Sequence, residues 1–132
     1  DKAIVPYKPT HKNHPSAVWV RASAENYMWA YEHMIALGQE YTKRYNKHHL
    51  TIAKCREVLY TLPTNISSDA FTQPPQCMPD QYKVTNDSVS AYWNYYEQEK
   101  KSVRNSNDEH INTNHYRKFN SNKVSRVYNE RK

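Results

Sequence analysis

The stretch 23–45, SAENYMWAYEHMIALGQEYTKRY, decides the fold class. Tyr27, Tyr31, Met34, Ile35, Gly38, Tyr41 and Tyr45 fall at i, i+4, i+7, i+8, i+11, i+14 and i+18. That is the 3.6-residue period of one helical face, sustained over about five turns. Ser23 stands where an N-cap hydroxyl can accept one of the helix's orphan N–H bonds. The spacing therefore predicts a long helix whose tyrosine stripe lines the core.

Working outward, Pro15 suits the first turn of a short helix running to about Ala22, because its missing N–H would be unpaired there anyway. Pro6 and Pro9 keep the segment before it extended. On the other side the pattern breaks at Asn46–His49, and a further helix places Ile52, Cys55, Leu59 and Leu62 on one face before Pro63 stops it. Residues 63–86 carry Pro63, Pro74, Pro75 and Pro79 and read as an irregular connection. Asp87 can cap a last helix with Val89, Tyr92, Trp93 and Tyr96 facing inward. Alternating strand patterns are scarce. The expectation is an all-α protein, a single small helical domain over 1–104 followed by a basic Asn/Ser/Lys-rich tail over 105–132.

The composition agrees with a folded body that has a modest core. Of 132 residues 37% are hydrophobic, yet twelve Tyr and three Trp lift the aromatic share to 13%, so the interior must be built largely from rings. The net charge is +6 and points to an anionic partner. Residues 104–132 hold seven Lys/Arg against three acids, a net of +4 that leaves +2 for the rest. Such a tail serves either to solubilise or to attract a polyanion.

Several chemistries are excluded. Gly38 is the only glycine, which removes the glycine-rich phosphate loops of nucleotide-binding folds. His11 and His14 are three apart, His48 and His49 are adjacent, and Cys55 and Cys77 are far from each other, so no metal-ligand spacing is present and no cofactor is expected. Two cysteines make no disulfide framework, and Cys55 falls on an apolar helix face as a core residue would. With no run of about 18 apolar residues and no signal peptide, no membrane partner is expected and the cytoplasm is the expected compartment. The chain opens on Asp1, which suggests a fragment or a processed product.

Three groups of residues suit phosphate and base contacts. His11-Lys12-Asn13-His14-Pro15 with Trp19 and Arg21 gathers donors ahead of a helix N-terminus, or is merely a capping loop. Lys43-Arg44-Tyr45-Asn46-Lys47-His48-His49 interleaves cations with a ring at a helix end, where the cations could equally answer the helix dipole. Met78-Pro79-Asp80-Gln81-Tyr82-Lys83 with Tyr92–Tyr96 and Lys100-Lys101 forms the third, in which Tyr95 lies off the inward face.

The ordered motifs His14-Pro15-x-x-x-Trp19-x-Arg21, Asn26-Tyr27-x-Trp29, Glu40-Tyr41-x-x-Arg44-Tyr45-x-Lys47-x-His49, Met78-Pro79-Asp80-x-Tyr82-Lys83 and Tyr92-x-x-Tyr95-Tyr96-x-x-x-Lys100 resemble an uncharacterised family of small phage and environmental proteins. The resemblance covers roughly residues 7–101. That family is in turn distantly similar to the phage pyrimidine-dimer DNA glycosylases, single all-α domains. The resemblance implies base excision through an N-terminal amine and a glutamate, on a duplex gripped by basic residues with a nucleotide displaced from the stack. Both catalytic groups would lie in an N-terminal segment that precedes the stretch matching Tyr7 in the family, so no catalytic residue carries over to this chain. Trp93 stands where the family tends to have a basic residue, and the Asn/Lys-rich tail replaces a Trp-rich ending.

Residues and resemblance together predict a DNA-binding protein of phage-like origin, the binding part of a base-excision glycosylase or endonuclease-like enzyme, with double-stranded DNA as partner. His14, Arg21, Arg44, Lys47 and Lys83 are the candidate phosphate contacts, and Trp29, Tyr45 and Tyr95 the candidate stacking groups. The alternative is a non-catalytic helical module for a protein or a small anionic nucleotide.

Overall fold

A computed structural model of the chain describes residues 5–100, with Lys100 by its backbone alone. The tail read over 105–132, together with Lys101 and Arg104, lies outside the described residues. Among the described residues there are four α-helices and no strand, so the chain is all-α: α1 Pro15–Ala22, α2 Ala24–Tyr45, α3 Leu50–Tyr60 and α4 Ser88–Tyr95. The chain divides into two compact units between Cys77 and Met78. None of the described helices is long and apolar enough to cross a membrane.

In the first unit the helix ends follow local chemistry. Pro15 occupies the first turn of α1, and the His14 ring caps it by accepting the Ser16 N–H at 3.1 Å through Nδ1. Ser23 is extended (φ −151°, ψ 158°), which ends α1, and its hydroxyl accepts the Asn26 N–H at 3.2 Å, which starts α2. One residue makes the elbow. The 22 residues of α2 end at Asn46, whose left-handed backbone (φ 49°) lets its N–H return to the Thr42 carbonyl at 2.8 Å. Asn tolerates this conformation better than most residues. The last helix of the unit, α3, ends at Tyr60, three residues short of Pro63.

The tyrosine stripe of α2 faces α3 as its spacing predicts. Tyr27 donates its hydroxyl to the Leu59 carbonyl at 2.8 Å, and Tyr31 to the Arg56 carbonyl at 2.9 Å. Leu59 belongs to the last turn of α3, whose carbonyls have no partner within the helix, so Tyr27 satisfies one of them. Tyr31 also sets its ring edge-on to Tyr60 at 5.9 Å. Gly38 lies under Ile52 so closely that an added Cβ would sit 3.1 Å from a methyl of that side chain. The interface is shallow. Tyr27, Tyr31, Met34, Ile35 and Tyr41 are only half-buried, and Tyr45, the last member of the stripe, is exposed. Cys55 is the buried residue of α3, and Leu62, read from sequence as part of its inner face, lies beyond the helix end and is exposed. A two-helix hairpin cannot enclose a stripe of five turns when α3 has half the length of α2.

The opposite face of α2 is covered by α1 and by residues 67–72 of the irregular connection. Asn26 is fully buried there. Its Nδ2 donates to the Trp19 carbonyl and to Thr72 Oγ1, both at 3.0 Å, and its Oδ1 accepts the Thr72 N–H at 2.9 Å. The Trp19 indole N–H donates to Thr72, the Phe71 N–H to Glu25 Oε2 at 3.0 Å, and the Ala24 N–H to the Ser67 carbonyl at 2.7 Å. Phe71 thereby meets Trp19 edge-on at 5.9 Å and Trp29 at 6.3 Å. A segment whose prolines suggested irregularity is bound to the α1–α2 elbow residue by residue.

The second unit is built around Tyr82, which is buried in a short 3₁₀ turn, Asp80–Tyr82, against α4. Asp87 caps α4 through the Ser90 N–H at 3.0 Å and the Ser90 hydroxyl at 2.7 Å. These bonds to the ionised form hold the Asp87 carboxyl below its ordinary value. The helix then loosens into a π turn, Tyr96–Lys100, where Glu99 accepts a hydrogen bond from the Tyr82 hydroxyl. That bond pushes the Tyr82 phenol up. Ala91 is buried, whereas Tyr92 and Tyr96, read as inward from sequence, are exposed. The face that packs α4 is made of the small Ser88 and Ala91, both buried, together with the half-buried Tyr95.

Candidate nucleic-acid interface

The residues predicted to meet an anion divide among three places. At α1, His14 is exposed but its Nδ1 is engaged in the cap, and Arg21 in the last turn donates to the Lys12 carbonyl. This bond folds the His11–Asn13 loop back against its own helix, with His11 at a positive φ of 49°. Both side chains serve local structure first.

Between α2 and α3 the chain forms a knuckle. Lys43, Arg44, Tyr45, Asn46, Lys47, His48 and His49 are all exposed. Arg44 is tied to Glu40 one turn back, at 2.8 Å, a surface pair of small energetic weight. Lys43 and Lys47 have no hydrogen bond or ion pair among the described residues, so their ammonium groups face solvent. The left-handed Asn46 ends α2, with Lys43 in its last turn and Lys47 three residues before the start of α3. His49 occupies the N-cap of α3 without a side-chain hydrogen bond, its ring set edge-on to Tyr41 at 5.0 Å instead. The first N–H groups of α3 therefore add their partial positive charge to that of the lysines. Tyr45 leans on Tyr41 with centroids 4.9 Å apart and planes at 51°.

In the second unit Lys83 is paired with Asp80 at 2.7 Å. The hydrogen bond from Lys83, and next its charge, hold the Asp80 carboxyl below the usual carboxylate range. Asp80 and Lys83 thus make a local turn clasp. Tyr95 is half-buried and packs on Tyr82 at 5.3 Å.

Of the three residues named for stacking, only Tyr45 presents a largely bare ring. Trp29 is half-buried, stacked on His33 at 5.1 Å with planes 7° apart and edge-on to Trp19 at 5.6 Å. Arg44, Tyr45 and Lys47 are all exposed on the knuckle, as are Lys43 and Leu50. Leu50 had no signal in the sequence, because an apolar residue opening a helix reads as core. Asn26 drew notice only as part of a motif, and its partner Thr72 drew none, since nothing local marks a contact across 46 residues.

Among the described residues no group of three His, Cys, Asp or Glu is placed to hold a metal ion. The described carboxylates of α2 are occupied in structural tasks where their partners are known: Glu25 anchors the Phe71 backbone and Glu40 holds Arg44. No family model, curated protein or solved structure matches the chain.

Proposed function

We propose that this protein binds nucleic acid through its phosphates, with the α2–α3 knuckle as the principal contact. The observation that carries the reading is the exposed run from Lys43 to His49, which carries two lysines, Lys43 and Lys47, and the exposed Tyr45 ring ahead of an uncapped helix start. Neither lysine has a partner among the described residues, and each phosphate such a lysine neutralises releases condensed cations from the nucleic acid. The net charge of +6 adds long-range attraction for any polyanion. Arg21 and His14 are secondary contacts, since each would have to leave or share a bond it already makes.

The reading is one of binding. Excision chemistry of the kind implied by the glycosylase resemblance needs an activated nucleophile beside a carboxylate. In α2 Glu25 holds the backbone of Phe71 and Glu40 the side chain of Arg44, which leaves Glu32 as the carboxylate of that helix with no partner among the described residues.

The test is the salt dependence of binding to a fluorescein-labelled 20-nucleotide DNA, followed by anisotropy. Affinity should fall steeply between low and moderate salt, and a Lys43→Gln/Lys47→Gln double variant should reduce the log–log slope by about 2. A wild-type affinity indifferent to salt, or an unchanged slope in the double variant, would remove the proposal. A pocket for a small anion would give the first of these results.

A further inference from the structure

We infer that the ligand of the knuckle is a nucleic acid with unpaired bases, taken by stacking one base on Tyr45. The inference rests on the binding proposal and specifies its substrate class. Tyr45 is 54% exposed although it belongs to the stripe that faces α3. It extends past the point where α3 can cover it, because α3 begins only after the Asn46 turn. Its ring is nevertheless braced on one side. Tyr41 supports it at 4.9 Å, and Tyr41 is itself braced edge-on by His49 at 5.0 Å.

A ring braced on one side in this way has less freedom to lose when a base stacks on it, which lowers the ordering cost of binding. Leu50, 64% exposed at the first position of α3, adds a second apolar surface at the same knuckle. An exposed ring on a segment that also carries exposed lysines suits a nucleotide, which has a flat apolar face and a charged phosphate a few ångströms away. A duplex would use only half of this arrangement. Its base faces are covered by their neighbours, and its surface offers a blunt turn only phosphates and groove edges, which reward Lys43 and Lys47 but not an exposed tyrosine ring. Single strands and loops present bare faces.

The experiment uses the full chain and three labelled DNAs at one fixed salt concentration: a 12-nucleotide oligothymidylate, the same backbone with abasic sugars, and a 12-base-pair duplex. Oligothymidylate should bind about 5- to 100-fold more tightly than the abasic strand, the range that one base–aromatic stack supplies. Tyr45→Phe should retain that preference. Tyr45→Ala and Tyr45→Leu should abolish it while leaving affinity for the abasic strand unchanged. The leucine variant keeps apolar cover over Tyr41, so a loss common to both reports the ring and not a frayed helix end. Equal binding of the thymine and abasic strands, a duplex bound as tightly as oligothymidylate, or a preference that survives in Tyr45→Leu would overturn the inference while leaving phosphate binding intact. Failure of all three DNAs to bind would end both readings.

Discussion

Asn26 and Thr72 are joined by a closed pair of hydrogen bonds, the Thr72 N–H to Asn26 Oδ1 at 2.9 Å and Asn26 Nδ2 to Thr72 Oγ1 at 3.0 Å. Asn26 also reaches the Trp19 carbonyl, so one fully buried amide ties α1, α2 and the connection together. An amide has two donor hydrogens and two acceptor lone pairs, and here both ends of the group are in use. Replacement by leucine fills the volume but leaves the Thr72 N–H and the Trp19 carbonyl without their partner. Each stranded group costs about 1–3 kcal/mol, so Asn26→Leu should destabilise the first unit by roughly 3 kcal/mol in urea unfolding. A loss below about 1 kcal/mol would mean that the 67–72 segment is held by Phe71 packing and by its bonds to Glu25, Ala24 and Trp19 without need of Asn26.

Gly38 tests the α2–α3 contact. In Gly38→Ala the gain in helix propensity, about 1 kcal/mol, opposes a Cβ placed 3.1 Å from an Ile52 methyl. The two effects should nearly cancel, leaving the melting temperature within a few degrees of the parent. Gly38→Leu has no such compensation and should lose about 2 kcal/mol or more through overpacking. If the leucine variant melts with the parent, the two helices do not approach as closely as Gly38 and Ile52 indicate.

Tyr27 links stability to alkaline pH. Burial, and then the neighbouring Tyr31, push its phenol above the ordinary value near 10.0. The neutral form is therefore favoured in the folded chain, and its hydroxyl donates to the Leu59 carbonyl. The contribution is complete below the unfolded pKa and is lost as pH rises through the higher folded value. Tyr27→Phe should thus lower stability by about 1 kcal/mol at neutral pH, the usual net worth of one hydrogen bond. The same variant should flatten the fall in stability above pH 10, read by denaturant titration at several pH values. An alkaline fall of equal depth in parent and variant would assign it to other tyrosines.

Asp87 gives the opposite sign. Its carboxyl is held below the ordinary value by the Ser90 N–H and hydroxyl, so the cap is fully present above the unfolded pKa, about 3.9 for an aspartate. It is lost as pH falls through the depressed folded value. Asp87→Ala should cost about 1 kcal/mol, seen as faster amide exchange at Ser90 and the residues after it at neutral pH. Asp87→Asn, which can still accept the bond, should recover most of the protection and remove its dependence on acid. Unchanged exchange in the alanine variant would show that α4 does not depend on its cap.

What was legible in the sequence was local. The α2 helix, the Ser23 and Asp87 caps, Pro15 in the first turn of α1 and the break at Asn46 stand in the structure as read, because periodicity and capping act between residues a few positions apart, whereas the stripe read as core is half-buried and ends on an exposed Tyr45. Which aromatic ring turns inward could not be decided that way. Trp29 and Tyr45 are both aromatic members of α2, yet Trp29 is covered by Trp19 and Phe71 and Tyr45 is left bare. The difference comes from what lies opposite each ring. Residues 67–72 return to the elbow because Asn26 and Glu25 can satisfy their backbone groups, whereas α3 starts too late to reach the end of the stripe. Spacing along a helix specifies a face, and only the arrival of a distant segment with matching donors and acceptors decides whether that face becomes interior or surface.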